Sequence, residues 1–266
     1  MSRMSYMPRD KRMAIAALMV FSFTAIAGAQ QQPQEVNHDN DHSWKIDTVG
    51  LATVTFVAGP VGCSTVGAGV NPPSPGPPLG VGSLRLESID GVSGAQLRNT
   101  RYHRTYLADL VALDYWTCAF ATENNGQQWP YIILNIDTNG DQVTDDLLFF
   151  EPAYQNSLNG NPLPAALGGC PDQGLQLYDL WQPWNARDGC WWSLNHPEIA
   201  SPGTGVQPLS KYVAAFPQAT IVNSDGQHGG IRLVQGFGDP VRHVGYVDRF
   251  EIAIRKQIYS FEPPPQ

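Results

Sequence analysis

The densest group of oxygen-bearing side chains lies in the stretch from Asp137 to Asp146. Carboxylate or amide groups occupy its first, third, fifth and ninth positions, and hard cations such as calcium prefer oxygen ligands of this kind. The stretch departs from the helix–loop–helix calcium motif, because Gln142 replaces the expected glycine and Leu148 replaces the expected glutamate. We predict a structural calcium ion, with an ion-free hairpin tip as the alternative. Its ligands would be Asp137, Asn139, Asp141, Asp145 and Asp146.

A second candidate site is a tryptophan-rich stretch between Tyr178 and His196. Aromatic rings stack on the apolar C–H faces of sugars, while amide and carboxylate groups bond to the sugar hydroxyls. The alternative is that these rings fill the core, because large aromatic side chains are usually buried. The predicted glycan-binding face consists of Trp181, Trp184, Trp191, Trp192, Asn185, Arg187 and Asp188.

Recognisable catalytic motifs are missing from the sequence. It contains no G-x-S-x-G, no H-E-x-x-H, no Walker loop and no dinucleotide fingerprint, and its six histidines form no nucleophile–base pair. We therefore predict no catalytic residue. A glycosidase needs two carboxylates that are close in space, which a sequence alone does not exclude. The formal candidates are Glu151, Asp179, Asp188 and Glu198.

The four cysteines allow three disulfide pairings. We predict the two pairs of sequence neighbours, Cys63–Cys118 and Cys170–Cys190. The second pair would close the loop that carries Trp181 and Trp184. A zinc site is the alternative, although the sequence lacks the closely spaced C-x-x-C pair that zinc sites usually show.

The N-terminal residues 1–29 have the pattern of a secretory signal peptide. Four basic residues precede an apolar run, and Ala27-Gly28-Ala29 fits the cleavage site. A membrane anchor is the alternative, but the apolar run is short for a spanning helix, and no second such run follows. We expect a secreted protein, extracellular or periplasmic, with no membrane span after cleavage. Residues 30–42 are polar and predicted to be disordered.

The composition narrows the class of protein. The chain has 266 residues and a net charge of −8, and only 15 % of its residues are charged. An acidic chain of this kind argues against nucleic acid as a partner, because phosphates require clustered Lys and Arg. Its 26 Gly and 22 Pro argue against a helical bundle or a coiled coil.

Short alternating segments separated by turn residues predict an all-β protein, an antiparallel β-sandwich of the jelly-roll type. Strand–helix alternation is missing, and one short helix is predicted at Lys211–Phe216, capped by Ser210. We predict a single domain over residues 43–262, followed by a tail at 263–266. The predicted strands after the first loop are Ser83–Glu87, Ala95–Asn99, Val111–Thr122, Pro130–Asp137, Asp146–Glu151, Leu175–Trp181, Ala219–Asn223, Gly230–Gln235, Gly245–Arg255 and Gln257–Phe261.

Two of these segments carry a family resemblance. Gly82-Ser-Leu-Arg-Leu86 and Gly245-Tyr-Val-Asp-Arg-Phe250 resemble the opening and closing strands of bacterial secreted jelly-roll modules of the galactose-binding-like and carbohydrate-binding type. The resemblance implies a β-sandwich, and it implies that Asp248 helps to hold a structural calcium. Arg249 departs from the family pattern, which has Asp or Asn at this position. The fold hosts many functions and names no ligand.

We therefore expect a secreted, non-catalytic module that binds glycan or mediates adhesion to a cell surface or matrix polymer. One alternative is a secreted hydrolase acting on polysaccharide. The other is a structural surface or matrix subunit that self-assembles through its sheets. The direction in which the tryptophan side chains point separates these three hypotheses.

Overall fold

The β-branched and aromatic segments of the sequence form strands in the computed structural model. The structure describes residues 34–35, 43–65, 74–124, 128–160, 162, 167–223, 229–238, 240–255 and 257–262. The predicted signal peptide and the tail at 263–266 lie outside these residues. Residues Gln31–Gln266 form one compact unit. The strands are β1 (Gln34–Glu35), β2 (Trp44–Val49), β3 (Thr53–Ala58), β4 (Ser64–Thr65), β5 (Ser74–Pro75), β6 (Gly82–Ser88), β7 (Gly94–Asn99), β8 (Thr105–Tyr106), β9 (Leu110–Cys118), β10 (Tyr131–Asp137), β11 (Asp146–Phe150), β12 (Leu180–Asn185), β13 (Cys190–Ser193), β14 (Gln207–Pro208), β15 (Thr220–Ile221), β16 (Ile231–Gly236), β17 (His243–Ile254) and β18 (Gln257–Glu262).

These strands form two sheets of nine strands each. Sheet A has the order β1-β18-β17-β9-β12-β4-β5, with β6 paired to β17 and β3 paired to β6. Sheet B has the order β14-β13-β11-β10-β16-β7-β2, with β15 paired to β10 and β8 paired to β15. The all-β sandwich predicted from the sequence is confirmed, and its jelly-roll connectivity stays a prediction.

The core lies between the sheets and is filled by inward-facing side chains from both. Leu84 and Leu86 of β6 belong to the same buried cluster as Leu97 of β7. Tyr115 of β9 meets Phe150 of β11 edge to face, with ring centroids 6.0 Å apart. Because side chains alternate along a strand, the same strands also present a second, outward-facing set of residues.

Strand β10 is the centre of sheet B. It pairs with β11 along one edge, with β16 along the other, and with β15 at its C-terminal end. All seven of its residues are buried, which fits its nearly continuous apolar sequence. The β10–β11 hairpin has acidic residues at its tip and aromatic residues at the opposite end of its two strands.

Strand β17 changes partner along its length. Its first half pairs with β6 and its second half with β18, while β9 runs along its other edge. The register shifts between Asp248 and Glu251, and Arg249 adopts a left-handed φ of 45°. This bulge bends the strand between its two partners.

Three local predictions are wrong. Helix α1 spans Leu209–Ala215 after Pro208, so Ser210 lies inside its first turn and is not its cap. The strand predicted from Leu175 begins only at Leu180, because the Gln182 side chain bonds to the backbone of Leu175 and Leu177 in place of a partner strand. Strand β13 lies where no strand was predicted.

The polar segment 30–42, predicted to be disordered, contains the two-residue strand β1, which runs parallel to β18.

Both predicted disulfides are confirmed. Cys63–Cys118 ties a loop to β9, and Cys170–Cys190 ties the segment before β12 to β13.

Candidate functional site

The acidic tip of the β10–β11 hairpin brings three of the predicted calcium ligands together. One carboxylate oxygen from each of Asp137, Asp141 and Asp145 lies within 4.8 Å of the other two. Asp137 accepts hydrogen bonds from the backbone N–H groups of Asn139, Gly140 and Gln142. The donors that surround these carboxylates therefore belong mostly to the loop itself.

Two other predicted calcium ligands lie elsewhere. Asp146 is fully buried and accepts four hydrogen bonds, so its carboxylate holds the core together. Asp248 lies on β17 of sheet A and accepts the N–H of Leu79 at 2.8 Å, whereas the acidic tip belongs to sheet B. Asn139 uses its amide oxygen to accept the N–H of Asp141. The donors to Asp146 are Leu147 N, Asn195 N, Ser193 Oγ and Tyr212 Oη.

Three of the four tryptophans predicted to bind glycan are buried, which corrects that prediction. Trp184 is in the core and donates its Nε1–H to Thr117 Oγ1 at 2.7 Å, and Trp191 is in the core and donates to Ala186 O at 2.7 Å. Trp181 packs beside the Cys63–Cys118 disulfide with 1 % of its surface exposed. None of these three rings can stack on a ligand.

The polar residues predicted beside them hold the turn between β12 and β13. Asn185 and Asp188 bond to each other twice, through the Asn185 amide and the Asp188 backbone and carboxylate. Arg187 Nε donates to Leu110 O. Asn185 and Asp188 are thus engaged within the turn, and Arg187 is bonded to the start of β9.

Trp192 has a different environment from its neighbour Trp191, because adjacent residues of a strand point to opposite faces. It is half-buried on the outer face of sheet B, directly opposite Phe149 in the ladder. The two rings stack with centroids 3.9 Å apart and planes 5° apart. Tyr131 continues the row, 6.4 Å from Phe149.

This row of rings forms one wall of a cavity of about 310 Å³, a volume in the range of small-molecule sites. Gln128 and Glu151 are the two side chains with amide or carboxylate groups in its lining. A wider cavity of about 720 Å³ shares both of them and adds Asn159 and Thr204. Together the two cavities are called the aromatic groove below. The rings of the smaller cavity are Trp129, Tyr131, Phe149, Trp192 and Phe237, and the wider cavity adds Tyr154.

Glu151 lies at the junction of the two cavities. Its Oε1 accepts the Nε1–H of Trp192 at 2.8 Å. Burial raises the pKa of the Glu151 carboxyl to about 6, against the opposing effect of that hydrogen bond. Perturbed carboxyl groups of this kind cluster at functional sites.

The groove is fixed by side chains that brace its backbone. The side-chain amide of Gln155 donates to the backbone carbonyls of Cys190 and Glu151 and accepts the backbone N–H of Cys190. These bonds lie next to the Cys170–Cys190 disulfide. Gln128 Nε2 donates to Phe237 O at 2.9 Å. The groove is therefore largely preformed, which reduces the entropy lost on binding.

Phe237 is the most exposed aromatic ring of the groove. It is 36 % exposed and has a left-handed φ of 61°, an uncommon conformation for an aromatic residue. Its ring packs on Gly94, where an added Cβ would come within 2.1 Å of the ring. Strained positions of this kind occur where the surrounding structure maintains them, often in binding sites.

Two polar atoms of the groove residues lack a partner among the described residues. They are Nε1 of Trp129, a donor, and Oε1 of Gln128, an acceptor. Buried polar groups are nearly always hydrogen-bonded, so these two atoms are exceptions. Both are covered by the protein, and a ligand in the groove does not reach them in this structure.

A separate carboxylate pair lies on sheet A. Asp114 of β9 stands directly opposite Glu251 of β17. Burial, followed by the charges of Glu251 and Asp188, raises the pKa of Asp114 to about 6. Of the formal hydrolase candidates, Glu151 lines the groove, while Asp188 and Glu198 are exposed and Asp179 precedes β12.

Most residues of the groove were missed in the sequence, where Trp192 and Glu151 alone were singled out. A usable pattern was present in Leu147-Leu-Phe-Phe-Glu151, since strand alternation places Phe149 and Glu151 on the face opposite Leu148 and Phe150. The sequence gives no sign that Trp129 and Phe237 join them.

Comparisons with protein-family models, with curated proteins and with solved structures found no match to this chain. Within the described residues, the search for a helix long and apolar enough to cross a membrane found none. The two disulfides fit an oxidising compartment.

Proposed function

We propose that this protein is a secreted, non-catalytic β-sandwich module that binds glycan in the aromatic groove of sheet B. The observation that carries the proposal is the cavity lined by five aromatic rings and two polar side chains, in which Phe149, Trp192 and Phe237 are at least partly exposed. Aromatic rings stack on sugar C–H faces, and the amide and carboxyl groups bond to sugar hydroxyls.

The shape of the groove supports a chain rather than a single small molecule. The two cavities share Gln128, Glu151, Ala153 and Gly238, so they adjoin each other. The inner cavity is mostly aromatic, and the outer cavity adds amide and hydroxyl groups. An oligosaccharide has both apolar ring faces and hydroxyls.

Two further parts of the proposal rest on other regions. The signal-peptide pattern and the disulfides support secretion.

The oxygens of Asp137, Asp141 and Asp145 are close enough to share one calcium ion, which would have a structural role at the hairpin tip. Asp146 and Asp248 are excluded from this ligand set, because their contacts lie elsewhere.

Glycan binding is tested by removing the exposed ring of the groove. Phe237→Ala should weaken binding to a glycan found by array screening at least tenfold, as measured by isothermal titration calorimetry. Tyr106→Ala is the matched control, because Tyr106 is 45 % exposed and does not line the groove. Failure to bind any member of a broad glycan panel, or wild-type affinity in Phe237→Ala, would contradict the proposal.

A polysaccharide hydrolase is the second candidate, and the Asp114–Glu251 pair favours it. Carboxylates on directly opposed residues lie close together, and a raised pKa on one of them fits an acid–base pair. Arg249 and Trp116 flank the pair, 6.0 Å apart. Release of reducing ends from a polysaccharide by the wild type, and its loss in Asp114→Asn, would establish this activity. A wild type that releases none would exclude it for that substrate.

A further inference from the structure

The described residues that line the aromatic groove carry a negative charge and no positive charge. Glu151 is the only charged side chain among the described residues that line either cavity, and none of those residues is Lys, Arg or His. Glu151 also forms no ion pair within the described part of the chain, and its one side-chain hydrogen-bond donor is Trp192. Its negative charge is therefore partly desolvated and is not neutralised by any residue that the structure describes.

The guanidinium group of Arg232, on the neighbouring strand β16, does not pair with the Glu151 carboxylate. Arg232 of β16 is 5 % exposed, and its NH1 donates to Gln96 Oε1 at 3.0 Å, toward β7. It lines neither cavity. The titratable groups that sense Glu151 are Tyr115, Tyr131 and Tyr154, and burial raises the pKa of each, so all three stay neutral near pH 7.

A carboxylate beside the partly exposed rings of Trp192, Phe149 and Phe237 offers the groups that recognise an organic cation. The faces of aromatic rings carry negative electrostatic potential and attract ammonium groups, most strongly where water is excluded. A carboxylate adds a charge-assisted hydrogen bond to the same ammonium. A uronate or sulfate group would instead meet the Glu151 charge without a cation to offset it.

We propose that the aromatic groove binds glycans that carry free amino groups, with a protonated amine placed between Glu151 and the surrounding rings. This inference rests on the proposed glycan-binding function and names its ligand class. The amine supplies the missing countercharge, and the sugar ring supplies the C–H face and the hydroxyls. Asn159 and Thr204, which are exposed and line the wider cavity, would bond to the hydroxyls.

The test compares three oligosaccharides of equal length with the full chain by isothermal titration calorimetry at pH 7. They are glucosamine oligomers, their N-acetylated counterparts and β-1,4-linked glucose oligomers. We expect the glucosamine oligomer to bind at least tenfold more tightly than the other two. Spermidine, an amine without a sugar, should bind at least tenfold more weakly than the glucosamine oligomer.

Two variants separate the local carboxylate from the acidity of the whole chain. Glu151→Gln should reduce the preference for the amino sugar to within twofold, while binding of the acetylated oligomer is retained. Glu198→Gln makes the same change at an exposed side chain outside the groove and should keep the full preference. The wild-type preference should also fall below pH 6, where Glu151 becomes protonated.

Each outcome decides one part of the argument. If no oligosaccharide binds, the proposed glycan-binding function fails, and this inference fails with it. If the neutral oligomers bind as tightly as the amino oligomer, the inference is overturned and the proposed function stands. Equal binding of spermidine, or an unchanged preference in Glu151→Gln, would also overturn it.

Discussion

The two ends of the β10–β11 hairpin place carboxylates in opposite surroundings. At the tip, Asp137 accepts three backbone N–H groups, and Asp145 accepts the N–H and the hydroxyl of Thr138. At the other end, Glu151 accepts a single N–H from Trp192 inside an aromatic cavity. Carboxylates therefore accept several hydrogen bonds at the tip of the hairpin and few at its opposite end.

This difference separates a structural use of carboxylates from a functional one. Backbone donors at the tip stabilise the negative charges and fix the loop, which then holds its oxygens close enough for a cation. Glu151 destabilises the fold, because its charge is partly removed from water without a counterion in the described part of the chain. Residues that destabilise the fold in this way are expected where binding requires them.

The largest effect is expected for Asp146, which lies between these two regions. Asp146→Ala removes a buried acceptor and leaves the Tyr212 and Ser193 hydroxyls and two backbone N–H groups without their partner. An unsatisfied buried donor costs about 1–3 kcal/mol, so the free energy of unfolding should fall by at least about 3 kcal/mol. Urea unfolding measures this loss. Asp141→Ala, at an exposed position that accepts only the Val143 N–H, should cost less than about 1 kcal/mol without calcium. Equal losses would contradict the structural role of Asp146.

Calcium removal is expected to have the next largest effect. A ligand that binds only the native state at 100 times its dissociation constant stabilises it by about 2.7 kcal/mol. A chelator should therefore lower the melting temperature of the wild type, and Asp141→Ala should abolish that difference. Identical melting curves with and without chelator would leave the hairpin tip as an ion-free turn.

Glu151→Gln should stabilise the protein at pH 7 while it weakens binding of an amine. The folded-state pKa of about 6 lies above the ordinary value of 4.5, so the folded state holds this proton more tightly. The contribution of Glu151 to stability is therefore present below pH 4.5 and is lost as the pH rises through 6. At pH 7 the loss amounts to about 2 kcal/mol, since one pKa unit is about 1.4 kcal/mol.

This pH dependence is measured by urea unfolding at pH 4.5 and pH 7. Asp114 has a raised pKa in the same range, so Asp114→Asn is the companion variant that reports its share. Wild-type pH dependence in Glu151→Gln would show that the Glu151 carboxyl is well solvated, and the contrast between the two hairpin ends would disappear.

The smallest effect concerns Gln142, which stands where the calcium motif has glycine. Its φ of 69° is left-handed, and a glycine adopts this conformation without strain. Gln142→Gly should raise the free energy of unfolding by about 0.5–1 kcal/mol, reduced by the loss of its exposed hydrogen bond to Arg104. Gly140→Ala is the opposite change at a φ of 89°, where no atom would touch the added Cβ, and it should destabilise by a similar amount. A loss of stability in Gln142→Gly would contradict the strain argument.

The sequence by itself determined the class of fold, both disulfides and the acidic hairpin tip. These features depend on local information. Alternating apolar and polar residues separated by turn residues define the strands. The signal-peptide pattern indicates an oxidising compartment, which favours paired cysteines. Asp137, Asp141 and Asp145 are close in space because they belong to one short loop. The β-sandwich and both cysteine pairs could be predicted for this reason.

Only the tertiary structure decided which aromatic rings are available to a ligand. Trp191 and Trp192 are adjacent and chemically identical, yet one is in the core and the other lines the groove, because the strand places them on opposite faces and the second sheet covers just one face. Trp129, Phe149 and Phe237 come from separate segments that meet through the pairing of β10 with β11 and β16. Such a site depends on contacts between residues far apart in the chain, and spacing along the sequence does not record them.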